Sequence, residues 1–296
     1  MSYDLLFYKR RDSNLTTDQI GEYLSSRLTP ANENGNQWFF ENEDTEVYFS
    51  FETSDQEEDD DDATKDSSDS FNDFETTNIA FNLNFVRPSF FGLEAFNFVE
   101  TFINDLDLFV VNPQGDDDTP GKPTKKYLYE NWNKTNIWAS KEHIDDESLF
   151  YPIDKSNKVW EYNYKRQNIQ DEIGEDYFVS RIFFFKEKQT NKVVSLSMWA
   201  EHIPVVLPIT DYYLLGRKYK KLFKTVEDIV LLTKEDFNSN FSSFFEPYTI
   251  SETVIIHPDK AASIEKLFNG VKSNLKFEKH LERIAADAIT NATKED

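Results

Sequence analysis
The chain has 296 residues, long for one domain and comfortable for two, and its 39% hydrophobic and 16% aromatic content is enough to bury a core and unlike that of a disordered chain. Its 55 acidic against 32 basic residues leave a net charge of −23, a field that repels phosphate backbones and anionic lipid, so neither nucleic acid nor membrane is expected as a partner. The absence of cysteine excludes disulfides, thiolate metal sites and cysteine nucleophiles.

The opening MSYDLLFYKRRDS carries its positive charge after a short apolar run, the reverse of a signal peptide. No window approaches the roughly 18 uninterrupted apolar residues of a membrane span. A cytoplasmic location is the expectation.

Residues 3–8, YDLLFY, read as a largely buried strand. In LTTDQIGEYLSSRL, Thr16 and Gln19 have capping-box spacing, and Leu15 and Ile20 are placed as a hydrophobic staple. Ile20, Tyr23, Leu24 and Leu28 then share one helical face. QWFFENEDTEVYFSFE reads as two aromatic strands about a polar turn. In TNIAFNLNFV, Ile79, Phe81, Leu83 and Phe85 alternate with Asn78, Asn82 and Asn84, the pattern of a strand with one wet face. FFGLEAFNFVETFINDL has helical spacing and LDLFVVN closes as a strand.

Between the meander strands lies SDQEEDDDDATKDSSDSFNDF. From Glu52 to Glu75 there are twelve acids and one lysine, a net of −11, leaving −12 on the rest of the chain. Three readings apply: a solvated loop, an electrostatic docking element for a basic partner, or a calcium site. Calcium loops of the EF-hand type space their acids alternately around a central glycine, whereas contiguous carboxylates repel and stay extended, so no metal is expected here. Asp116, Asp117 and Asp118 take the solvated reading.

NPQGDDDTPGKPTKK, residues 112–126, has the Gly, Pro and Asp content of a linker. Beyond it, YLYENWNKTNIWASKEH is ambiguous, VWEYNY and DYFVSRIFFFKE read as strands, and QTNK turns into a return strand VVSLSMWAEH. IPVVLPITDYYLLGRKYK continues as an aromatic strand, and Phe237, Phe241, Phe244 and Phe245 fall on one side of a helical stretch. Asp259 is placed to cap a helix with an Ile264, Leu267, Phe268, Val271 stripe, and 276–293 reads as a second amphipathic helix.

The expected fold is α+β: a two-layer sandwich of antiparallel or mixed sheet with helices on one face. Its modules would be 1–112 with an acidic loop at 52–76, a linker at 113–126, and 127–296 ending in two helices.

Catalytic signatures are lacking. The eight glycines are isolated, without phosphate-loop or dinucleotide spacing, and there is no G-x-S-x-G. His143, His202, His257 and His280 show no helical metal spacing, although His143 with Asp145 and Asp146 offers a local cluster. No cofactor is expected. Trp38, Trp132, Trp138, Trp160 and Trp199 read as core or interface residues rather than ligand-stacking platforms.

The opening MSYDLLFYKR, the QWFFENEDTEVYFSFE hairpin and the LPITDYYLL stretch together resemble uncharacterised bacterial proteins encoded near polymorphic toxins, some of which act as immunity proteins. The resemblance implies an inhibitor that works by occlusion, and it transfers no functional residue. The composition leans the same way, toward an acidic binding protein for a basic partner. Its candidate contacts are Glu57, Glu58, Asp59, Asp60, Asp61, Asp62, Asp66 and Asp69. The rivals are an enzyme using His202 or His257 with a carboxylate, and a self-associating scaffold.

Overall fold
A computed structural model describes residues 1–31, 36–53, 71–115, 119–145, 147–221, 224–249 and 252–292. The fold is α+β, and the chain divides into two compact units: unit 1, residues 1–147 with 290–296, and unit 2, residues 148–289.

Unit 1 runs β1 (Ser2–Arg10), α1 (Thr17–Ser25), β2 (Thr29–Pro30), β3 (Gln37–Glu41), β4 (Tyr48–Thr53), β5 (Phe74–Asn84), α2 (Phe90–Asp105), β6 (Phe109–Val111) and α3 (Lys125–His143). The strands form one antiparallel sheet in the order β2-β3-β4-β5-β1-β6. Alternation in β1, β4 and β5 sends Tyr3, Leu5, Phe7, Phe49, Phe51 and Phe81 into the core. Helices α1 and α2 cover that same face: the Phe102 ring of α2 packs 4.9 Å from Phe7, 5.1 Å from Phe51 and 5.6 Å from Tyr23 of α1. The capping box is formed, Thr16 Oγ1 accepting from Gln19 N–H at 3.2 Å and Gln19 Oε1 from Thr16 N–H at 3.0 Å.

Helix α3 stacks on α2 where Gly92 faces Trp132. A Cβ at Gly92 would lie 2.5 Å from Trp132 Cε3, so only glycine admits the ring here. Residues 113–126 are therefore not an inter-unit linker. Val110 and Gly121 exchange both backbone hydrogen bonds, at 2.7 and 3.0 Å, and fold the segment back onto unit 1 before α3 begins. The Gly and Pro content marks turns inside a unit.

Unit 2 runs β7 (Leu149–Phe150), α4 (Ile153–Ile173), β8 (Phe178–Val179), β9 (Ile182–Glu187), β10 (Val193–Ala200), β11 (Val205–Pro208), β12 (Tyr212–Lys221), β13 (Lys224–Thr233), α5 (Lys234–Phe241), β14 (Glu246–Pro247), β15 (Thr253–Ile256), α6 (Pro258–Ser263), α7 (Glu265–Gly270), α8 (Phe277–His280) and β16 (Leu281–Arg283). Two sheets form, β13-β12-β10-β9-β16 and β14-β15-β11-β8. Strands β10 and β12 run parallel because the chain detours through β11 in the other sheet. Trp199, Leu215 and Val230 line one face of the larger sheet, and Leu196, Leu214 and Leu231 line the other. Trp199 is fully buried, its ring within 4.8–5.5 Å of Phe241, Phe245 and Phe268.

Two sequence readings are corrected in this unit. VWEYNY lies inside α4, not in a strand. Ser156, Val159, Tyr162, Asn163 and Ile169 form the buried stripe, and two of these five are polar, so hydropathy hid the helical period. Asn163 acts as a surrogate strand edge: Ile182 N–H donates to its Oδ1 at 3.0 Å, and its Nδ2 donates to the Ile182 carbonyl at 2.9 Å.

The C-terminal helical pair is replaced as well. The first helix is broken at Ile264 into α6 and α7, and His257 rather than Asp259 occupies its N-cap. The expected 276–293 helix yields only the four-residue α8. Leu281–Arg283 then pair antiparallel with β9, because satisfying that sheet edge and burying Leu281 outweighs continuing an amphipathic turn.

Candidate functional site
The parallel register of β10 and β12 sets Leu196 beside Tyr212, which brings Ser195 to Asp211, and Ser197, whose register partner is Tyr213, meets Thr210 of the chain leading into β12. The Ser195 N–H and hydroxyl both donate to Asp211 Oδ2 at 2.8 Å, and Asp211 N–H returns a bond to Ser195 Oγ at 3.0 Å. Thr210 Oγ1–H donates to the Tyr212 carbonyl at 2.8 Å, so Ser197 is the donor in its 3.2 Å contact with Thr210.

This hydroxyl network floors a cavity of about 670 Å³ built wholly from unit 2. One wall is α4, contributing Lys155, Lys158, Val159 and Lys165. The facing wall is the chain from Pro208 to Asp211, with Lys234, Thr249 and Glu252 on the rim. Tyr151 closes the floor and is buried. Burial pushes its phenol up to about 12, the Asp211 charge adds to this, and the hydrogen bond with Ser195 opposes it.

Charge on the rim is largely paired. Lys158 meets Glu252 at 2.9 Å and Lys165 meets Glu161 at 2.6 Å. Among the described residues, Lys155 and Lys234 have neither an ion pair nor a side-chain hydrogen bond.

None of the four histidines lines this cavity. His202 occupies a left-handed turn position (φ 47°) after β10, its ring 5.8 Å from Phe268. His257 Nδ1 lies 2.8 Å from the Tyr177 hydroxyl, and its charge helps Lys260 hold Glu246 below the usual carboxylate range. His280 Nε2 is 3.1 Å from the Tyr212 hydroxyl, which donates to Glu187 Oε1 at 2.8 Å. One phenolic proton cannot serve both neighbours, so His280 Nε2–H is the donor to Tyr212. His143 sits in the last turn of α3; Asp145 lies just beyond the helix and Asp146 outside the described residues. No group of three or more His, Asp or Glu positioned to hold a metal occurs among the described residues. Three tryptophans, Trp38, Trp132 and Trp199, are buried, whereas Trp138 is 57% exposed and Trp160 packs 5.3 Å from Tyr164 on α4.

The acidic candidates Glu57, Glu58, Asp59, Asp60, Asp61, Asp62, Asp66 and Asp69 lie outside the described residues, as do Asp116, Asp117 and Asp118. The strands at either end of the acidic run, β4 and β5, are paired, with Thr53 opposite Ile79. The unit boundary shows how the chain's charge is distributed. Unit 1 contains 35 acidic and 12 basic residues, a net of −23, and unit 2 contains 20 of each, a net of zero. The −12 found outside the acidic run therefore belongs entirely to unit 1.

No family model, no curated protein and no solved structure matches the chain. No helix among the described residues is long and apolar enough to cross a membrane.

Proposed function
We propose that this chain is an acidic binding protein of the immunity or inhibitor kind, acting in the cytoplasm, in which unit 1 occludes a basic protein. The observation that carries this reading is the charge division: the whole −23 falls on one unit, and a neutral unit of similar size accompanies it. A uniform acidity serving only solubility would be spread over both. A concentrated field speeds encounter with an oppositely charged partner and disfavours wrong ones, and carboxylates can occupy ground that a basic protein keeps for phosphate. Occlusion needs no bond-breaking chemistry. The acidic run, Glu57 to Asp69, contributes steering charge, and ordered surface of unit 1 supplies the contacts that hold the complex.

The test is capture on the immobilised full-length chain from lysate of the native host, followed by co-expression with the captured protein. The expected partner has an isoelectric point above about 9 and an activity that falls when this chain is bound. An acidic partner, or a basic one whose activity is untouched, would overturn the reading.

A further inference from the structure
We propose that the unit 2 cavity binds a small organic anion with an apolar body, a role independent of the charge on unit 1. Its volume, about 670 Å³, falls within the ~300–1,000 Å³ range of small-molecule sites. Val159, Ile182, Pro208 and Ile209 give it an apolar side, and the Ser195, Thr210 and Tyr151 hydroxyls give it a polar floor.

The sign of the ligand follows from which charged groups already have partners. Glu252 and Glu161 are taken by Lys158 and Lys165, and Asp211 accepts two hydrogen bonds from Ser195. Asp154 stands in the first turn of α4, where the helix end favours a carboxylate. Lys155, Lys234 and Asp154 are the lining charges with no ion pair or side-chain hydrogen bond among the described residues, so two ammonium groups stand against one carboxylate. The two lysines stand on different elements, α4 and the start of α5, at the rim of a partly apolar cavity. An anionic head placed at that rim, with its body on the apolar side, satisfies both features.

The probe is 1-anilinonaphthalene-8-sulfonate, and N-phenyl-1-naphthylamine, the same body without the sulfonate, is the control. Both are titrated by fluorescence into the full-length chain. The sulfonate is expected to bind saturably at one site per chain. A Lys155→Gln/Lys234→Gln variant should weaken it by about tenfold, the loss of charge-assisted contacts, while leaving the neutral dye's affinity in place. Ile209→Asp should weaken both dyes. All three positions are exposed, so folding is retained, and circular dichroism checks it; the single lysine variants serve if the double one misfolds. Absence of saturable sulfonate binding, unchanged affinity in the lysine variants, or equal loss for both dyes would overturn the proposal.

Discussion

Ser195 and Asp211 hold each other through three hydrogen bonds, two accepted by the Asp211 carboxylate at 2.8 Å and one returned by its backbone N–H at 3.0 Å. This pair fixes the point where β10 and β12 begin to run side by side, and it places Tyr151 and Thr210 around the cavity floor. Asp211→Ala leaves two donors of a buried serine without their acceptor. The expected loss is about 1–3 kcal/mol in urea denaturation of the full chain. Asp211→Asn keeps an acceptor oxygen and should lose less.

The approach of α2 and α3 predicts a second sensitivity. Gly92→Ala puts a methyl into the space of the fully buried Trp132 ring, with a destabilisation of about 1–3 kcal/mol from overpacking. Thermal unfolding followed by tryptophan emission reads this directly. A variant as stable as the parent would mean that the two helices sit farther apart.

The amide clamp of Asn163 is testable without reference to any ligand. Asn163→Leu keeps the bulk and removes both hydrogen bonds to Ile182. Amide exchange at Ile182 should quicken, and stability should fall by about 1–3 kcal/mol for the unmet backbone groups.

Alkaline pH should unfold the protein through its tyrosines. Tyr23 and Tyr151 are each pushed up to about 12 from the ordinary 10.0, both chiefly by burial, with the Asp105 hydrogen bond adding to it at Tyr23. Below pH 10 both folded and unfolded chains keep these protons, so the contribution is fully present. Between about 10 and 12 the unfolded chain loses protons that the folded chain retains, and stability falls as pH rises. Tyrosinate absorbance should show a delayed class in the folded protein that vanishes in denaturant. Tyr151→Phe should flatten the alkaline fall in stability.

Where local chemistry decides the structure, the sequence is readable. Thr16 and Gln19 satisfy each other within one turn, and the Ile79, Phe81, Leu83 alternation needs only the two-residue period of a strand, so α1 and β5 are legible. Helix α4 is not, because Ser156 and Asn163 take buried places through bonds to partners that hydropathy does not reveal. The 276–293 segment misleads for a related reason: its apolar spacing suits a helix, but the open edge of β9 offers Leu281 to Arg283 more. The Ser195–Asp211 floor has a faint sequence trace, two serines inside an apolar strand and a T-D pair after a proline. It becomes visible only once the parallel register is known. The charge division is already legible with 113–126 as the boundary, where 1–112 carries −19 and 127–296 carries −4; the boundary at residue 147, with 290–296 joined to unit 1, sharpens it to −23 and zero.

The central claim is that the negative potential of unit 1 meets a positive partner. Its most direct measurement is the association rate constant of the full chain with the basic protein it captures, followed from roughly 50 to roughly 300 mM salt. The expected result is a rate that falls by about tenfold or more across that range, with a shallower slope when Asp59, Asp60, Asp61 and Asp62 are replaced by serine. A rate indifferent to salt, with parent and serine variant alike, would contradict it.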